Sequence, residues 1–491
     1  DQARDPASTA LHLGGGFFNK GFSAYDITGN EGLRVADGTQ VEVTTPVYRF
    51  KESAQGLAVG SAPGAALELW TPPLALADPI KGRLTQRQGA SLSLQAGTLI
   101  SNAAQMARVQ AEIGQGALIR VDPGQAIKVR SIGQLTVDGT LSAWGGQITL
   151  GAIAPSASVT EPVEAVGHGR SIWIGEHALL DVAARASTAV DARGRHYGTV
   201  AKGGSIVVGG TIDPATGKAD AAKLFVVVRE GARLDASGTQ ARVDLAGGGP
   251  TLMASDGGSI SLASSNGLYL AGDLKASAGG SGAAGGTLSM ALETPLYLPD
   301  AAQRVRQARE LLLSTTQAPA LAGATAAQVA DTLVYGQGRL TVAQVEQGGF
   351  DNLNLLSNGA ISFDGDMSLR LGQSLSLYAN VLALGENAAG QARVSLAAPH
   401  VRLAGVGNVG GGPANEIRPT VQDTVSQQAA AGNLSVAAAT LLEVRDRVTL
   451  GGHAGQHEHV AGVFDRRGFA QTQWVSQGDL RFLAGTSKTA L

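Results

Sequence analysis

The sequence predicts an all-β chain wound as a parallel β-helix, in which short strands stack around one slim core. Three observations predict it. First, the stretch from Arg170 to Leu262 contains a copy of itself. Shifted by 54 residues, Ile172, Ile174, Leu180 and Asp181 fall on Val226, Val228, Leu234 and Asp235, and Gly203-Gly204-Ser205-Ile206 falls on Gly257-Gly258-Ser259-Ile260, without a gap. Second, runs such as Ile172-Trp173-Ile174 and Ile260-Ser261-Leu262 alternate with a period of two, the mark of a strand with one buried face. Third, Gly supplies 68 of 491 residues while aromatics are only 4%, which suits many tight turns around an aliphatic interior. A fixed repeat of small units, each unable to bury its apolar face alone, is the signature of stacking.

Composition removes several classes. Collagen needs glycine at every third position, and no such register exists. The net charge is −3 with Lys and Arg dispersed, so no basic footprint for nucleic acid or anionic lipid is present. No run approaches the ~18 apolar residues that a membrane-spanning helix requires. The chain has no cysteine, which excludes disulfides, thiolate metal sites and cysteine nucleophiles. Cysteine depletion also suits a protein that crosses an oxidising periplasm unfolded.

In chain order, residues 1–90 read as a β-rich leading region with long loops. Leu33, Val35, Val41, Val43 and Val47 alternate with polar residues, and the stretch 63–79 is expected to be a loop because Thr71-Pro72-Pro73 cannot continue a ladder. Residues 91–298 carry regular strands, and Gly-Gly pairs starting at Gly145, Gly203, Gly257 and Gly285 recur at separations of 58, 54 and 28. Two separations near twice the third imply that the 54-residue repeat spans two rungs, so that Ile206 and Ile260 point inward two rungs apart. At about 24 residues per rung the chain would make about 20 rungs, a rod on the order of 90 Å long. Residues 299–336 read as an inserted α-helical hairpin outside the rod, from the stripe Ala301, Val305, Ala308 and Leu312 and the Ala-rich segment from Ala320 to Leu333. Residues 337–491 resume the β pattern, and Gly349-Phe350 with Ile361 and Phe363 is echoed 119 residues later by Gly468-Phe469 with Leu480 and Phe482.

The runs Leu234-Asp235-Ala236-Ser237, Gly257-Gly258-Ser259-Ile260-Ser261-Leu262, Gly349-Phe350-Asp351-Asn352-Leu353 and Ala308-Arg309-Glu310-Leu311-Leu312 resemble the large exoproteins of bacterial two-partner secretion, the filamentous-haemagglutinin-like family. The resemblance implies a right-handed β-helix, export through an outer-membrane two-partner secretion transporter, and a secreted, cell-surface adhesin. That family's amino-terminal secretion domain carries Asn-Pro motifs, and no Asn-Pro pair occurs here. The chain is therefore expected to be an interior or carboxy-terminal segment of a longer exoprotein. Its partner would be a receptor or glycan not readable from the sequence. A contact-dependent toxin-delivery stalk and a polysaccharide lyase or glycosidase are the alternatives.

Sites that could carry chemistry each have a plainer structural role. His453, His457 and His459 cluster with Glu458, but their spacing fits no familiar zinc pattern and suits a solvated loop. The run from Gly405 to Gly410 has the dinucleotide spacing, yet Gly411-Gly412-Pro413 follows where a helix must begin. Asp181 and Asp235 recur at strand-to-turn positions, where Asp bonds its own backbone. Trp144, Trp173 and Trp474 are scattered rather than in a row. No catalytic, cofactor-binding or metal-ligating set is expected.

Overall fold

The computed structural model describes residues 10–483 except 63, 99–102, 155–169, 215, 246, 294–295, 298–309, 318–319, 389–390, 407–415, 418–427 and 454–464. It is an all-β structure dominated by three parallel sheets. Sheet I has fourteen strands, running from Ala24–Gly29 to Phe469–Ser476. Sheet II has eleven, from Leu33–Val35 to Thr449–Leu450, and sheet III six, from Gln40–Val43 to Asp273–Lys275. From Ala24 to Lys275 the chain visits I, II and III in turn, and each new strand pairs in parallel with the one laid down a circuit earlier.

The alternating pattern explains this winding. On every sheet I strand the inward residue lies directly opposite an inward residue of its neighbour, so Leu92, Ile127, Ile148, Ile206, Ile260, Leu288, Leu353, Leu375, Val401 and Leu442 form one unbroken ladder. All ten are buried, and each contributes roughly 1.5–3 kcal/mol relative to exposure. A slip of one residue would turn the whole row outward, so the register is strongly specified. Tyr25 stands at the amino-terminal end of the ladder, covered edge-on by Phe18 at 5.6 Å. At the other end Leu480 of the strand Asp479–Leu483 is exposed.

Ile206 and Ile260 both point inward, as expected, but they are direct neighbours rather than two rungs apart. The 54-residue repeat is thus one circuit. Its surplus length goes into antiparallel hairpins spanning 186–200, 210–221 and 240–254, whose strands share the period of two. Fewer circuits follow from the same chain. Among the described residues the path through sheet I passes twelve layers against about twenty expected, spanning on the order of 50 Å at about 4.8 Å per layer. The leading region behaves likewise. Its residues 24–43 supply the first strand of each sheet, and the expected loop at 63–79 instead holds strands Leu67–Trp70 and Ala75–Asp78, broken apart at Thr71-Pro72-Pro73.

The expected helical hairpin needs a larger correction. Ala301, Val305 and Ala308 lie outside the described residues, but Leu312 lies in a buried strand, Glu310–Ser314, in the middle of sheet II. Leu311 and Leu313 are its inward residues, so a period of two prevails where a helical stripe was read. The strand Gln337–Thr341, later in sequence, sits between it and Gly267–Leu270, reversing the local strand order. Three short α-helices are described, α1 (Ala103–Arg108), α2 (Ala326–Val329) and α3 (Val342–Gly348), besides short 3-10 turns. α2 lies on the outside of sheet II, where Val329 and Leu333 cover Trp173, Phe225 and Val227. α3 is closed by a Thr341–Gln344 capping box and seals the last strand of sheet III, the Gly348 carbonyl accepting from Ala276 N at 2.8 Å. Removing residues 299–335 would therefore strip both a core strand and the cover over Trp173.

Replacing Ile260 by Asp places an unpaired carboxylate in the ladder and is expected to cost on the order of 3–5 kcal/mol, whereas Ile260→Val should cost about 0.5–1.5 kcal/mol. Denaturant unfolding of both variants checks this; equal stabilities would contradict the inward register.

Candidate functional site

The residues singled out in the sequence take structural positions. Asp181 and Asp235 are direct cross-strand partners at one corner. Each carboxylate accepts from the backbone two residues on, Ala183 N and Ser237 N, both at 3.0 Å. Burial pushes the Asp235 carboxyl up, but hydrogen bonds from Ser237 and Arg233 outweigh it and hold it below the ordinary carboxylate value. Trp144 donates to Asp181 at 2.8 Å and lies between the guanidinium groups of Arg120 and Arg185. Trp173 is buried beneath α2, and Trp474 packs against Phe482. His453 pairs with Asp465 in a short antiparallel bridge, while His457 and His459 lie outside the described residues, as do Gly407 to Gly410. Among the described residues no group of three or more acidic or histidine side chains could hold a metal ion. No helix there is long and apolar enough to cross a membrane.

What the register does assemble is a groove on the outer face of sheet I. In-register parallel strands align their outward residues into rows as strictly as the inward ones. One row runs Thr287, Asn352, Ser374, His400. The next, two residues further along each strand, runs Ser289, Asn354, Ser376, Arg402 and Glu443. A third row is apolar at Ala263, Ala291, Leu356, Tyr378 and Ala404, and the 210–221 hairpin lies over it through Ile212, Ala219 and Ala221. The two polar rows are thus a floor and the hairpin is a wall. The partly open space above them is about 440 Å³, within the range of small-molecule sites. A second trough of about 970 Å³, lined by Ser368, Ser395, Ser435 and Gln473, shares two of these strands, Arg393–Ala404 and Ala431–Arg445.

The floor is pre-ordered by its own hydrogen bonds. Ser374 donates to Asn352 Oδ1 at 2.6 Å, and the Asn354 amide donates to Ser289 at 3.2 Å. The buried Glu443 carboxylate lies between Arg402 Nε at 3.2 Å and Arg445 Nη2 at 2.9 Å. Arg402 also donates to the Pro214 carbonyl at 2.9 Å, and Tyr378 donates its hydroxyl to the same oxygen. Burial alone would lower the Arg402 guanidinium, but Tyr378 and Glu443 hold it above its ordinary value. These contacts tie the hairpin tip to the sheet. Such a floor offers donors and acceptors in fixed directions and shows no nucleophile poised by a base.

The sequence marks none of these groove residues as a site, and Asn352 figures there only within the Gly349–Leu353 run. In Leu375-Ser376-Leu377 or Val401-Arg402-Leu403 the polar residue is simply the outward position of a strand, and the rows depend on pairings between segments 22 to 65 residues apart.

No protein-family model matches the chain, and comparison with curated proteins and with solved structures finds no match either.

Gly217 makes the wall's seating testable. Its φ of +64° favours glycine, and a Cβ there would lie 2.5 Å from the Tyr378 ring. Gly217→Ala is expected to lift the hairpin tip, so amide exchange across 210–221 should accelerate severalfold while the sheet amides stay protected. Unchanged exchange in the hairpin would contradict the close approach.

Proposed function

We propose that the chain is a length of right-handed parallel β-helix serving as a surface-displayed adhesin segment of a filamentous-haemagglutinin-like exoprotein, and that its groove binds a glycan. The winding supports the first part. Successive I–II–III circuits, with every pairing inside sheets I, II and III parallel, are what a coiled β-helix lays down, and residues 310–341 are a local reversal within it. The family assignment, secretion through a two-partner transporter and surface location rest on the resemblance of the glycine-rich runs and on the absence of cysteine.

The observation that carries the glycan reading is the walled floor of hydroxyl and carboxamide groups. Sugars are recognised by convergent donors and acceptors that replace hydration, and groups already held in place lose little entropy on binding. A polar floor on a rigid sheet, with a hairpin excursion as wall, is the usual arrangement of a recognition surface on a scaffold.

The test is binding of the purified chain to immobilised glycans, with wild type compared against the Asn352→Ala/Asn354→Ala double variant. Losing two hydrogen-bonding side chains, each contributing about 0.5–1.5 kcal/mol, should weaken binding roughly tenfold or more with little change in melting temperature. Turnover of a polysaccharide, abolished in Glu443→Gln, would replace the adhesin reading with that of a carbohydrate-active enzyme.

A further inference from the structure

We infer that the groove takes a neutral, linear polysaccharide whose chain runs across the strands, along the rows, with about one sugar opposite each strand; this rests on the glycan reading above. Two observations carry it.

The first is the shape of the open floor. Along a strand only two outward positions line the groove, the partly exposed first row and the more deeply set second row with Asn354 and Ser376, because the third row lies beneath Ile212, Ala219 and Ala221 of the hairpin. Two positions span only about 7 Å. Across the strands, the first row continues from Thr287 through Asn352, Ser374 and His400 to Leu441, five strands and on the order of 19 Å. An extended chain fits only in the second direction. Neighbouring strands lie about 4.8 Å apart, comparable with the length of one ring in an extended glycan. Each successive sugar therefore meets the next pair of row positions.

The second is charge. Among the described residues lining the groove, no cation is left for a ligand acid. The Arg402 guanidinium is committed to Glu443, the Pro214 carbonyl and the Tyr378 hydroxyl, and the Glu443 carboxylate is itself buried beside the floor. His400, itself in the first row, is the remaining ionisable group lining the groove. A uronate or sulfate would enter with no unpaired guanidinium to meet it and with a buried carboxylate nearby. A neutral ring finds Asn352, Asn354, Ser374 and Ser376, which donate and accept.

The experiment titrates the full chain by calorimetry with neutral cello-, manno- and xylo-oligosaccharides of two to eight sugars, and with oligogalacturonates of the same lengths. The expected result is that at least one neutral series gains affinity with each added sugar up to about five and then levels off. That series should bind at least tenfold more tightly than the uronate series at equal length. Thr287→Lys, which adds a cation at the edge of the first row, should raise oligogalacturonate affinity at least fivefold. Preference of the wild type for oligogalacturonate, or neutral binding that does not depend on length, would overturn this inference and leave the glycan reading standing. Binding of no series would overturn both.

Discussion

Parallel in-register pairing is the constraint on which the rest of this structure depends. Once Ile206 lies opposite Ile260, every residue two steps away is committed as well, inward and outward alike. The inward rows become aliphatic ladders such as the ten-residue row from Leu92 to Leu442, and their burial is what fixes the register. The outward rows follow without any selection for packing. They are free to carry Ser, Thr, Asn, His and Arg, and they do so in straight lines. The groove is thus a by-product of the core's geometry, and it inherits the core's rigidity.

The hairpins complete this division of labour. They add length without adding layers, because an antiparallel excursion leaves and re-enters the circuit at neighbouring points. The 210–221 hairpin folds back to cover Ala263, Ala291, Leu356 and Ala404, so apolar outward residues occur where a second layer exists to bury them. On sheet II the same logic places Trp173, Phe225 and Val227 beneath α2. On the groove floor, which the hairpin leaves uncovered, the rows carry Thr287, Asn352, Ser374 and Ser376. The pattern of outward residues therefore follows which parts of the sheet a second layer covers.

The sequence made the strands legible and left their counting obscure. Ile172, Ile206 and Ile260 announced themselves by alternation and by a gap-free echo, and all three are buried. The number of rungs in 54 residues was misjudged because a hairpin strand such as Gln240–Leu245 alternates just as a core strand does. Glu310–Ser314 is obscured for a related reason: Leu312 continues the i, i+4 spacing of Ala308, while three consecutive leucines hide the strand's alternation, in which Leu311 and Leu313 are the inward pair. Asp181 and Asp235 were legible as corner residues because an Asx turn is local. Asn354, Ser376, Arg402 and Glu443 were not, because a row exists only when distant segments are brought into register.

The most direct test of that register uses the chain's lack of cysteine. Ser205 and Ser259 are outward, half-buried and directly opposite each other, although 54 residues apart. Paired strands about 4.8 Å apart bring their Cα atoms within the 4.4–6.8 Å that disulfides favour, whereas a separation of two layers, about 9.6 Å, is out of reach. The Ser205→Cys/Ser259→Cys variant is expected to form an intramolecular disulfide under mild oxidation, and Ser205→Cys/Thr287→Cys is not. Cross-linking of the second pair but not the first would contradict the register, and with it the rows that build the groove.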